Sequence, residues 1–105
     1  MLSRIAVRTE PKVIQIEIDP DARLAAGAGG VAHFAATAAG FDPAAADELQ
    51  SAVIQACVEA FASMPGHGAT LRVAVSRFAS RVEVVLFSAR AAEPIARLMR
   101  NCESS

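Results

Sequence analysis

Three polar side chains, Glu48, Gln55 and Glu59, recur at i, i+7 and i+11. At helical periodicity that spacing puts all three on one side of a helix. Carboxylates at such positions can accept a proton or hold a cation, whereas a neutral amide cannot act as a base at pH 7. A narrow polar stripe on an otherwise apolar helix reads in two ways. It is either a site facing a concave pocket or the wet side of the helix, and the burial of Gln55 and Glu59 separates the two.

The other reactive residue types are more isolated. His67 lies between Gly66 and Gly68 with no acidic or nucleophilic neighbour in sequence, as expected of a solvated turn. Cys57 and Cys102 fall within apolar helical patterns. With neither a CxxC pair nor a Cys/His cluster, they read as reduced, buried thiols, and no metal site is expected. Gly27, Gly29 and Gly30 form no GxGxxG or GxxxxGK[ST] pattern, so a phosphate loop is not indicated. Within a helix they either admit a neighbouring backbone or are tolerated, at up to about 1 kcal/mol each relative to Ala.

The elements that must position these residues follow from periodicity and punctuation. Ile5 and Val7, then Ile14, Ile16 and Ile18, alternate with polar neighbours around Glu10-Pro11-Lys12, which predicts an N-terminal hairpin. Asp19-Pro20-Asp21 offers a helix start, and residues 21–39 are helical in composition, with Leu24, Val31 and Phe34 as their large apolar groups. Gly40 suits the left-handed residue that ends a helix, and Asp42-Pro43 opens the next as cap and first residue.

That second helix is predicted from Pro43 to Met64. Leu49, Val53, Ala56, Ala60 and Met64 form one stripe, with Cys57 at its edge and Ile54, Val58 and Phe61 as a second flank. Leu71, Val73 and Val75, then Val82, Val84 and Leu86, alternate on either side of a turn at residues 78–80, which predicts a hairpin. A last helix is expected from Glu93-Pro94, with Ile95, Leu98 and Met99 inward and Arg97 and Arg100 near its C-terminus, where the macrodipole favours them.

The predicted order is ββααββα, a two-layer α+β sandwich with helices on one face of a mostly antiparallel sheet. At 105 residues the chain has room for a single domain with one core. Ten basic against eleven acidic residues leave a net charge of −1, which lacks the positive field that nonspecific nucleic-acid binding requires. No leader-like start and no run of 18 apolar residues is present, so a cytoplasmic chain with neither signal peptide nor membrane span is expected. The hydrophobic fraction of 53% implies apolar surface hidden in a partner, and a homodimer is the expectation.

The stretch Asp47 to Ala60, DELQSAVIQACVEA, resembles the N-box helix of the bacterial anti-sigma factor serine kinases. These belong to the GHKL superfamily of histidine-kinase-like ATPases, which carry a run like D-L-x-x-A-V-x-E-A-x-x-N-A. The surroundings agree in order. A strand with Ile16 and Ile18 ends at Pro20, a helix ends in Ala39-Gly40-Phe41, and a hairpin with R-V-E-V-V-L at Arg81 to Leu86 follows the box. The resemblance covers roughly residues 13 to 88.

By that resemblance, Gln55 stands where the family has a Glu acting as general base or water positioner. Glu59 stands where an Asn helps hold Mg²⁺ against the ATP phosphates. The family's later D-x-G box, whose Asp receives the adenine amino group, is matched by Ser88-Ala89-Arg90. Gln cannot take the proton, Ser88 is a weaker partner for adenine, and Arg90 replaces the glycine that allows close approach. The glycine-rich lid is not found before the last predicted helix.

Three readings follow. The first is a non-catalytic, pseudo-enzyme regulatory module that binds a sigma factor or a STAS-type antagonist and holds no cofactor. The second is a minimal ATP-dependent serine kinase, for which ATP and Mg²⁺ are the cofactors. The third is an α/β sandwich of unrelated function.

Overall fold

The computed structural model describes residues 12–64, 69–88 and 93–102. Strand β1 (Val13–Ile18) is followed by helices α1 (Ala22–Ala38) and α2 (Pro43–Ser63). Strands β2 (Leu71–Arg77), β3 (Arg81–Ser88) and β4 (Pro94–Asn101) complete the order. The four strands form one antiparallel sheet in the order β1-β2-β3-β4. Both helices pack on the same face of it, so the chain is the expected two-layer α+β sandwich.

Pairing register explains which residues meet the helices. Ile14, Ile16 and Ile18 oppose Val75, Val73 and Leu71, which in turn lie beside Val84, Leu86 and Ser88. Directly paired residues share a face, so these side chains make one apolar surface. Leu71, Val73, Val75, Val82, Val84 and Leu86 are all buried there. On the helix side, α1 buries only small groups, Ala25, Ala28, Gly29, Ala32, Ala35 and Ala36, with Val31 half-buried against the core, while α2 buries Ala46, Leu49, Val53, Cys57 and Ala60. Cys57 is thus central to the α2 stripe rather than at its edge, and Ala56 is half-buried beside it. The large groups of α1 lie elsewhere: Leu24 and Phe34 are 40% and 66% exposed.

Local chemistry sets the helix ends. The Asp21 carboxylate accepts from the Arg23 backbone N–H at 2.8 Å, and that of Asp42 accepts from Ala45 N–H at 2.9 Å, with Pro43 as first helical residue. Gly40 has φ 95°, the left-handed conformation that closes α1. Phe41 N–H then donates to Ala36 O and Gly40 N–H to Thr37 O, the paired bonds of a Schellman closure. This turns the chain sharply enough for α2 to lie beside α1.

The expected helix over Glu93–Cys102 is instead the strand β4. Ile95, Leu98 and Met99 fit a helical spacing, but Ala96, Leu98 and Arg100 also alternate with Ile95, Arg97 and Met99. Ala96, Leu98 and Arg100 oppose Leu86, Val84 and Val82, so this alternate set faces the helices. A helix of ten residues is marginal alone, whereas a strand here satisfies the backbone groups along β3. The macrodipole role expected for Arg97 and Arg100 goes with the helix. The expected strand at Ile5 and Val7, the turn at His67, and Ala89 and Arg90 lie outside the described residues. Among the described residues no helix is long and apolar enough to cross a membrane.

Candidate functional site

Helix α2 presents three sides. Leu49, Val53, Cys57 and Ala60 face the sheet, and Ile54 and Phe61, half-buried, turn toward α1. Glu48, Gln55 and Glu59 occupy the remaining side, and all three are exposed. The Gln55 amide Nε2 donates to Glu59 Oε2 at 3.2 Å, a neighbouring pair one helical turn apart. The structure therefore makes the stripe the wet side of the helix rather than a site facing a pocket: Gln55 and Glu59 meet on an open face, where water screens the carboxylate charge.

Glu48, at the other end of the stripe, is engaged differently. Its two carboxylate oxygens accept from Arg100 Nε at 3.1 Å and Nη2 at 3.3 Å. This fork ties α2 to β4, and it is possible only because Arg100 stands on the helix-facing side of that strand.

Ser88, the third position that the resemblance singles out, ends β3 opposite Leu71. It is half-buried and lies on the helix-facing side of the sheet, in the other layer from Gln55 and Glu59. Two cavities stand out. One, of about 170 Å³, is lined by apolar groups including Ile14, Phe34, Ala35 and Val75, at the end of β1. The other, of about 290 Å³, lies among Phe41, Asp42, Ala45, Asn101 and Cys102. Neither is lined by Gln55, Glu59 or Ser88.

The two thiols differ. Cys57 is buried in the core, and that burial pushes its pKa up to about 11, so it stays a neutral thiol at pH 7. Cys102 is half-buried rather than buried as expected, and its Sγ donates to Gly40 O at 3.4 Å. Among the described residues no group of three or more His, Cys, Asp or Glu side chains is placed to hold a metal ion.

Several polar relationships escaped the sequence reading. His33 Nε2 lies 3.1 Å from Asp47 Oδ1, bridging α1 and α2. On the sheet face away from the helices, Arg72 stacks over Phe87 at 4.9 Å and Arg81 over Phe78 at 4.2 Å. Arg81 Nε is also 3.1 Å from Glu83 Oε2, yet the angle is too poor for a hydrogen bond and that buried N–H is unsatisfied. The contact is better described as an ion pair with a stacked guanidinium. Only the Arg81–Glu83 spacing on one strand was available to suggest any of these.

No family model, no curated protein and no solved structure matches this chain.

Proposed function

We propose that the chain is a degenerate histidine-kinase-like ATPase domain of the anti-sigma factor serine kinase type, working as a non-catalytic regulatory binding module. The observation that carries the non-catalytic part of this reading is the exposure of Gln55 and Glu59, which hydrogen-bond to one another on the wet side of α2 and line neither described cavity. At these positions the family places its base and its metal-holding amide. Here the amide and the carboxylate satisfy one another instead. A lone carboxylate in a high-dielectric surface setting is a poor anchor for Mg²⁺, which asks for several oxygen ligands in strict geometry.

The order of elements supports the ancestry part of the proposal. A strand ending before Pro20 leads to a helix closed at Ala39-Gly40-Phe41, then to the box helix and a β-hairpin. The partners proposed are a second copy of the chain and a sigma factor or STAS-type antagonist, met in the cytoplasm. Neither nucleic acid nor a membrane surface is called for by a net charge of −1.

Thermal unfolding followed through an Mg-ATP titration tests the reading. A ligand at 100 times its Kd adds about 2.7 kcal/mol of stability, a shift of many degrees in a domain this small. The expected result is no shift. A shift that disappears in Glu59→Ala would replace the proposal with the alternative, a minimal ATP-dependent serine kinase. Direct binding assays against the sigma factors and STAS proteins of the native host test the regulatory role, and no binding to any of them would remove it.

A further inference from the structure

We propose that the outer edge of β4 receives an extended segment of a partner protein, which adds as a further strand and sets a carboxylate beside Arg97. The proposal rests on the partner binding included in the function above and names its surface. Among the described residues β4 pairs on one side only, with β3. Residues 89–92 join β3 to β4 and so do not also run along its far side. Residues 103–105 are too few to pair along its eight residues, and residues 1–11 are expected beyond β1, across the sheet.

The hydrogen-bonding phase of the sheet says which backbone groups that edge offers. Cys102 N–H donates to Ser80 O at 2.7 Å, a bonded pair that continues the register of β3 and β4. Bonded and non-bonded pairs alternate along an antiparallel ladder, so Arg100 and Leu98 turn their N–H and C=O groups to Val82 and Val84. Arg97 and Met99 turn theirs outward. The Met99 carbonyl agrees with this, because it accepts from Arg100 Nη1 at 3.1 Å and keeps a second lone pair.

The side chains along the edge differ between its two faces. Ile95, Arg97 and Met99 lie on the face away from the helices, where Ile95 and Met99 are 38% and 50% exposed. Arg97 between them is exposed and, among the described residues, pairs with no carboxylate. Its diagonal neighbour on β3, Glu83, is held by Arg81. On the helix face, Glu48 holds Arg100, and Ala45 lines a cavity with Asn101 and Cys102. The α2 stripe of Ala45, Glu48, Ala52 and Ala56 therefore overhangs β4. Its alanines leave room beside Ala96 and Leu98, and Glu48 disfavours a second acid there.

Charge thus selects the occupant. The favoured strand carries Asp or Glu beside Arg97, with apolar residues two positions to either side against Ile95 and Met99. Toward α2 it carries apolar residues. A second copy of the same edge is disfavoured, because β4 has two arginines and no carboxylate. A two-fold axis that keeps the faces passes through Arg97, Leu98 or Met99. The first sets Arg97 opposite the partner copy's Arg97, the second sets those two diagonally, and the third does the same with Arg100.

Fluorescence anisotropy of a labelled Ser-Val-Val-Glu-Val-Val-Ser peptide, titrated with the full chain, is the test. Saturable binding is expected. The same peptide with Lys for Glu should bind about tenfold more weakly or worse, since like charges across a docked pair are costly. Arg97→Glu should reverse that preference. Met99→Pro removes an outward N–H but no bond to β3, so it should keep the far-UV circular dichroism of the parent and lose the peptide. Amide hydrogen exchange reads the same contact without a variant. The peptide should protect the Arg97 and Met99 N–H groups, whereas those of Leu98 and Arg100 are already protected in the free chain. Val58→Glu, on α2, should change nothing. No saturable binding up to millimolar peptide overturns the proposal, as does binding that leaves Arg97 and Met99 unprotected or that survives Arg97→Glu unchanged. Peptide binding that behaves as stated while no sigma factor or STAS protein binds removes only the regulatory reading. A sigma factor or STAS protein that binds while the peptide does not overturns only the β4 edge.

Discussion

Ile54 packs its Cγ1 2.6 Å from the point where a Cβ on Gly29 would stand, with the Gln50 carbonyl oxygen 3.0 Å from the same point. Here a glycine in a helix interior has a structural reason: it lets α2 approach the backbone of α1. Gly29→Ala gains helix propensity of about 1 kcal/mol but must push Ile54 aside, and overpacking of this kind costs about 1–3 kcal/mol. The expected net result is a loss of about 1 kcal/mol in urea unfolding. Gly27→Ala meets open space and should gain roughly 0.5–1 kcal/mol. Equal effects at the two positions would refute the distinction.

Cys57 supplies a pH-dependent part of the stability. Burial raises its pKa from 9.0 to about 11, because the folded core disfavours the thiolate. A folded pKa above the unfolded one means the contribution is complete below pH 9. It is then lost as the pH rises from about 9 to about 11. Unfolding free energy should fall by roughly 2 kcal/mol over that window, and the fall should vanish in Cys57→Ala. In native protein an aromatic disulfide reagent should label Cys102 ahead of Cys57, which reacts only on unfolding.

The elements with strong punctuation were legible from sequence. Asp42-Pro43 and Gly40 marked the helix boundaries through capping and φ, and Ile14, Ile16 and Ile18 marked β1 through strict alternation. What failed was β4, where Leu98 satisfies both periods and only the unpaired edge of β3 decides between them. The core side of α1 was hidden for a different reason. Its five buried alanines carry little hydrophobic contrast, while the bulkier Leu24 and Phe34 point aside. At the candidate site, the adjacency of Gln55 and Glu59 follows from their four-residue spacing and was readable in advance. The Glu48–Arg100 fork was not, because it needs Arg100 on a strand.

That fork joins the layers at the β4 edge, but both partners are exposed, at 38% for Arg100 and 58% for Glu48. Pairs of this kind contribute about 0.2–1 kcal/mol, at the upper end when the guanidinium binds both oxygens. A double-mutant cycle with Glu48→Ala and Arg100→Ala should give a coupling energy in that range. Raising the salt to 1 M, where the screening length is about 3 Å, should cut it at least by half. A coupling of zero at low salt would mean that the fork orders nothing.

Gln55→Glu puts a carboxylate back at the position where the resembled kinases carry their base. In this chain it would stand one turn from Glu59, with the Gln55–Glu59 hydrogen bond replaced by two like charges at i and i+4. On a helix surface that repulsion costs a few tenths of a kcal/mol beyond the lost bond. The variant should therefore be less stable at pH 7, by roughly 0.5 kcal/mol, and should regain part of the difference at 1 M salt, where the like charges are screened. Under the proposed function it should also gain no Mg-ATP-dependent stabilisation, because a base without a metal-holding partner or an enclosed pocket does not rebuild a nucleotide site. Nucleotide-dependent stabilisation that appears in Gln55→Glu and is absent in the parent would show that the nucleotide site is one substitution from function, and that the loss of the base is its main lesion.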